Sequence, residues 1–126
     1  MLKYTARTIR RTVGINRSFS YGWNAIQTPA VIIDKPVLLD NIQYMQNIAT
    51  HHNVSLRPHV KTHKCVNIAQ LQLQFGAIGV TCSKPEEAVV FIKSNINTFV
   101  AYPVVDQKKL LWLLKTVRKY SEFSRF

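Results

Sequence analysis

The stretch Arg57-Pro58-His59-Val60-Lys61-Thr62-His63-Lys64 brings primary amines and imidazoles together within eight residues. An amine that has lost its proton attacks a carbonyl carbon, and an imidazole can orient such a group or move protons near neutral pH. Five of the eight residues are basic or imidazole, and Val60 is the one plain hydrocarbon among them. The cluster is interrupted by Pro58, Val60 and Thr62 in a strand-like rhythm and lies between apolar segments.

The elements that must position these groups can be read from the flanks. Val54 to Lys61 is predicted as a strand with a helix before it and another after it, so Lys61 falls at the strand's carboxyl end. Side chains alternate faces along a strand, which predicts Arg57, His59 and Lys61 on one face. Parallel α/β folds gather their chemistry at the carboxyl ends of strands. On this reading Lys61 is the candidate catalytic residue, His59 is a candidate for orienting it or a cofactor, and Arg57 is a second cation beside it or a structural ion partner.

Two other readings compete. A run of basic residues can be a solvated surface or a nucleic-acid patch. His59, His63 and Cys65 also offer metal-ligating atoms, but zinc signatures add a second cluster, and none is present. No metal ligand is therefore assigned in this chain.

The eight residues from Arg57 to Lys64 resemble the R-P-H-x-K-T-H-K signature of the D-threonine aldolase and D-serine dehydratase family. The similarity extends over about residues 28 to 105. It includes Thr28-Pro29-Ala30-Val31-Ile32-Ile33-Asp34, then Gln72, Phe75-Gly76-Ala77-Ile78-Gly79-Val80, Lys84, Glu86-Glu87-Ala88 and Phe99-Val100-Ala101-Tyr102-Pro103. The resemblance implies an alanine-racemase-type barrel that binds pyridoxal 5'-phosphate, with Lys61 in the position of the family's Schiff-base lysine; His59, on the same strand face, is the candidate cofactor contact, against a packed histidine. It further implies a D-3-hydroxyamino acid substrate and a divalent metal whose ligands lie beyond the part of the barrel represented here. A homodimer is implied for a chain of full family length.

Composition sets the bounds. The chain has 126 residues, 47% hydrophobic and 18% charged, a globular balance that leaves room for one domain. No apolar run approaches the roughly 20 residues of a spanning helix, so no membrane partner is expected. Cys65 and Cys82 form no C-x-x-C pair and are expected to be reduced thiols. The net charge of +11 is uneven: Lys3, Arg7, Arg10, Arg11 and Arg17 precede the first carboxylate, Asp34.

That uneven start suggests a targeting segment. Leu2, Ala6, Ile9 and Val13 recur at helical spacing, with Lys3, Arg7 and Arg10 on a neighbouring face. A basic amphipathic helix without acid predicts a mitochondrial presequence over residues 1–19, with cleavage after Phe19 and a matrix location. The alternative is a basic N-terminal arm. Residues 20–27 read as a linker and 28–126 as the folded part.

Within that part, Ala30 to Asp34 reads as a strand. Pro36 suits the first turn of a helix whose face carries Leu38, Ile42, Met45 and Ala49, ending near His51 and His52. Gln70 to Phe75 alternates like a strand, but Val66, Ala69 and Leu73 fit a helix that Gly76 would stop. Ala77–Cys82 is the next strand, and Ser83-Lys84-Pro85-Glu86 predicts a capping box opening a helix. Thr98–Pro103 is a further strand ending near Tyr102. Asp106 can cap a last helix with a Leu110, Leu113, Leu114 and Val117 stripe, and residues 121–126 read as a tail. The strand segments begin at Leu56, Ala77 and Thr98, 21 residues apart in each case.

Alternating strand and helix predicts an α/β fold with parallel strands, a partial (β/α)8 barrel of three to four βα units, since a complete barrel needs about 250 residues. The functional expectation is the N-terminal part of a pyridoxal-phosphate-dependent lyase acting on small D-3-hydroxyamino acids, by aldol cleavage or by elimination. The alternative is a basic mitochondrial RNA-binding or interaction protein, for which the aromatics Phe75, Phe91, Phe99 and Trp112 look too core-like to stack bases.

Overall fold

The structure is a computed structural model that describes residues 26–121. The expected presequence 1–19, most of the expected linker and nearly all of the expected tail lie outside the described residues. The chain divides into two units, Met1–Ile32 and Ile33–Phe126. Residues 26–32 of the first form no helix or strand, and Val31 is 94% exposed. This corrects the strand expected over Ala30–Asp34. An apolar run becomes a strand only when a neighbour completes its ladder, and no partner for it occurs among the described residues.

The second unit opens with α1 (Lys35–His51). Asp34 is the N-cap rather than the end of a strand: its carboxylate accepts the Val37 N–H at 3.1 Å, and Pro36 stands in the first turn where a missing N–H costs nothing. Ile42 and Ala49 of the expected apolar face are buried, whereas Met45 is half exposed.

The expected strand over Val54–Lys61 is shorter and ends earlier. An extended arm from Leu56 runs beside the next strand through Ile78 N–H to Leu56 O (2.9 Å), Thr81 N–H to Pro58 O (2.7 Å) and a parallel bridge between His59 and Thr81. Pro58 has no N–H to give the ladder. From Val60 the chain turns into a 3-10 turn, Val60–Thr62. Lys61 therefore sits in the turn after the strand-like arm, and the alternation that would align it with Arg57 stops at His59.

Helix α2 (Val66–Gln74) resolves the ambiguous glutamine stretch as helix. Gly76 follows at φ +116°, and the N–H groups of Gly76 and Ala77 close on the carbonyls of Leu73 and Gln72. A residue without a Cβ is suited to that left-handed stop. Strand β1 (Val80–Cys82) pairs in parallel with β2 (Thr98–Val100), Val80 opposite Thr98 and Cys82 opposite Val100. Both are shorter than expected: beyond these pairs the Ile78 N–H still reaches Leu56 O and the Ala101 N–H reaches Cys82 O, both at 2.9 Å, but the paired ladder itself spans three residues. β1 thus has the Leu56–His59 arm on one side and β2 on the other.

Helices α3 (Pro85–Lys93) and α4 (Gln107–Ser121) follow β1 and β2. Phe91, Val60, Val80, Cys82, Ala88 and Ile96 form the core between α3 and the sheet. Fully burying a side chain the size of Val60, Val80 or Phe91 contributes roughly 1.5–3 kcal/mol. Asp106 caps α4 as expected, its Oδ1 accepting the N–H groups of Lys108 (2.8 Å) and Lys109 (3.3 Å). The α4 stripe is a different matter: Leu113 packs against the core, but Leu110, Leu114 and Val117 are exposed. The architecture is that of a partial (β/α)8 barrel of the alanine racemase type.

Candidate active site at the carboxyl ends of the strands

The arm and β1 end at His59 and Cys82, and the next residues of each converge. His59 caps the 3-10 turn: its Nδ1 accepts the backbone N–H of Lys61 at 3.2 Å. An accepting Nδ1 leaves the ring proton of neutral imidazole on Nε2, which lies 3.3 Å from the Ser83 hydroxyl. This tautomer donates to Ser83 and cannot take its proton, so the Ser83–His59 pair is an anchor and not a nucleophile with its base. The ring fixes the first turn after the arm, and that turn carries Lys61.

Lys61 is exposed at this rim and makes no ion pair among the described residues. Lys64, three residues on, is different. Its backbone is left-handed at φ +49°, a conformation costing roughly 1–2 kcal/mol for a residue with a Cβ. Its N–H reaches Val60 O at 2.8 Å, and its ammonium lies 3.3 Å from Glu87 Oε1. The other Glu87 oxygen accepts the Ser83 N–H at 3.0 Å. Partial burial opposes the charge on Glu87, but the Ser83 N–H and Lys64 outweigh it and hold the carboxyl below its ordinary range.

The capping box expected from Ser83 and Glu86 is thereby corrected. Pro85 occupies the first helical position, which makes Lys84 the N-cap and Glu87 the third helical residue. Glu87, not Glu86, turns back to the N–H of Ser83, and the Ser83 hydroxyl serves His59 instead of the helix. Glu86 pairs with Lys109 at 2.7 Å. Ser83, Lys64 and Glu87 were not singled out as site residues from the sequence; proline at the first helical position was the available signal.

Arg57 does not join Lys61. Its guanidinium reaches Asn97 at the start of β2, 2.9 Å from Oδ1 and 3.3 Å from the carbonyl oxygen. It crosses directly over Gly79, at φ +156°, where an added Cβ would collide with Arg57 and with the Asn97 carbonyl. Arg57 is a structural clamp at the amino ends of the strands. Cys82 is fully buried in the core, and burial, with the Glu87 charge adding to it, pushes its thiol up to about 11. Such a thiol stays protonated and packs. Tyr102 lies exposed beyond β2.

His63 lines, with Pro58, His59 and Thr62, a cavity of about 490 Å3 between α1, the arm and α2. Its Nδ1 accepts the Cys65 N–H at 3.1 Å, and burial lowers its pKa below the ordinary histidine value of 6.5. Among the described residues, no three His, Cys, Asp or Glu side chains come together as a metal site.

Comparison with known proteins places this arrangement. No family model matches the chain. It is 38% identical over 94 residues to D-threonine aldolase from an Arthrobacter species, covering 74% of this chain and 25% of that enzyme. The match is to the D-threonine aldolase and D-serine dehydratase family. The crystal structure of D-threonine aldolase from Filomicrobium marinum superimposes with a TM-score of 0.70 at 41% identity, covering 72% of this chain and 25% of that one. D-threo-3-hydroxyaspartate dehydratase from a Delftia species gives 0.70 at 34% identity, over 75% and 25%. The chain spans about a quarter of the length of the relatives it matches.

Proposed function

We propose that the protein contributes the lysine-bearing part of a pyridoxal-phosphate-dependent lyase acting on D-3-hydroxyamino acids. The observation that carries this is Lys61: a primary amine without an ion partner among the described residues, exposed at the carboxyl ends of parallel strands, on a turn pinned by His59. The residues present fit a carbonyl-bearing cofactor in that respect, with Lys61 as the covalent attachment point and His59 as the group that orients its turn. Bound there, pyridoxal phosphate supplies an electron sink for negative charge at the substrate α-carbon.

The chain's own residues do the positioning. The His59 ring holds the Lys61 backbone, and Ser83 holds the ring. Lyases of both kinds occur among the relatives, an aldolase and dehydratases, so the reaction is either cleavage between Cα and Cβ or loss of the β-hydroxyl. The proposal covers both reactions, with Phe99-Val100-Ala101-Tyr102-Pro103 only slightly more like the aldolase branch. A divalent metal at the substrate hydroxyl and a homodimer belong to the same proposal, as does a mitochondrial presequence over residues 1–19, which its acid-free basic composition supports. The reading of the basic charge as an RNA-binding surface gains no support from the relatives.

The test is an assay of a chain of full family length that carries this segment, supplied with pyridoxal phosphate and a divalent metal, against D-threonine and D-serine. Glycine release that disappears in Lys61→Ala marks aldol cleavage, and ammonia release with the same dependence marks elimination. No Lys61-dependent product from folded protein would overturn the proposal.

A further inference from the structure

Two lysines stand three residues apart at one rim, and among the described residues only one of them is held by a carboxylate. Glu87 is the group that separates them. One of its oxygens lies 3.3 Å from the Lys64 ammonium; the other accepts the Ser83 N–H at 3.0 Å, and Ser83 in turn holds the ring that caps the Lys61 turn. Its side chain is 13% exposed, against 65% for Lys64, so the carboxylate is the fixed partner and the lysine the one drawn to it. It also holds the far end of a turn whose last residue is left-handed without being glycine or asparagine. Strain of that kind persists only where the surroundings over-determine it.

We propose that Glu87 is a positioning residue that selects Lys61 over Lys64 as the amine that meets a carbonyl compound. One arm withdraws Lys64 from the rim; the other anchors, through Ser83 and His59, the turn that presents Lys61. The inference rests on the reading of Lys61 as the cofactor lysine, but its test does not need the cofactor.

Reductive methylation with limiting formaldehyde and cyanoborohydride, mapped by peptide mass spectrometry on the whole chain, reads the reactivity of each lysine. The amine condenses with the aldehyde, water leaves, and hydride reduces the resulting C=N bond. In the wild type Lys61 should be methylated faster than Lys64. Glu87→Gln keeps an acceptor for the Ser83 N–H and removes the charge. It should raise Lys64 methylation about threefold, the size of a largely exposed ion pair, and leave Lys61 unchanged. Ser83→Ala should leave Lys64 unchanged and slow Lys61 about fivefold, the size of one hydrogen bond. Glu87→Ala should do both. Equal reactivity of the two lysines in the wild type would overturn the proposal, as would a wild-type pattern in both Glu87→Gln and Ser83→Ala. Pyridoxal phosphate failing to label Lys61 while these methylation shifts appear would sink the cofactor reading and leave the selection intact.

Discussion

The corner where α3 covers the sheet and the helix α4 beside it carry the same kind of apolar stripe, yet only one of them is filled. Around α3, Phe91, Ala88 and Val89 close over Val60, Val80 and Cys82 with almost no exposure. On α4, Leu113 alone of the stripe packs against the core, while Leu114 is 54% and Leu110 40% exposed. Periodicity states which residues need a partner; it does not state whether the chain supplies one. Within a barrel, each helix and strand is completed by the units on both sides. The chain covers about a quarter of its relatives' length, and among the described residues no further βα unit follows α4.

The widest test of this contrast is truncation on each side of it. Phe91→Ala should destabilise by about 3–5 kcal/mol, because a large cavity opens in a packed core. Leu114→Ala should stay within about 0.5 kcal/mol, as an exposed position does. Urea unfolding of both variants checks the pair, and comparable losses would mean that α4 is covered in solution.

A smaller effect tests the other end of the same sheet. Gly79→Ala should cost about 1–3 kcal/mol, since a Cβ there displaces the Arg57 guanidinium and meets the Asn97 carbonyl. Arg57→Ala in the Gly79→Ala background should recover part of that loss if the clash with the guanidinium is the cause. Removing a cap is smaller again: Asp106→Ala should cost about 1 kcal/mol, read as a lower thermal midpoint.

The finest distinction concerns His63 and Glu87, which flank the Lys61 turn and respond to acid at different pH. The folded pKa of His63 is depressed, so the unfolded chain binds the proton first. Its contribution to stability is full above about pH 6.5 and is lost as pH falls through the folded value. Glu87 is also depressed, from an ordinary value of 4.5. Its contribution is full above that pH and is lost only in stronger acid. His63→Gln should flatten the stability curve just below pH 6.5, and Glu87→Gln should flatten it below pH 4.5. Unfolding curves across pH 3 to 8 would show either change missing.

What was legible in the sequence followed local chemistry. Pro36, Gly76 and Asp106 mark helix ends through a missing N–H, a missing Cβ and a capping carboxylate, and each works in the structure as those properties require. The parallel α/β order and the rim position of Lys61 follow from the spacing of the strand segments. The strand lengths were not legible, because a ladder is written in two places at once. Ala30 to Asp34 has strand composition and no described partner. The side-chain network around Lys61 was hidden for another reason: Glu86 and Glu87 are chemically identical in sequence, and a one-residue shift of the helix start decides which turns back to Ser83. Of the two readings of Arg57, the structural one holds and the cation beside Lys61 does not, because alternation gives the face of a side chain and not how far it reaches along the sheet.

Lys61 as the carbonyl-reactive amine is tested most directly by incubating the folded protein with pyridoxal phosphate, reducing with borohydride and mapping the pyridoxyl group. A single modification on the peptide carrying Lys61, absent in Lys61→Ala, is the predicted result. Modification of Lys64 or Lys84 instead, or an unmodified folded protein, would contradict it.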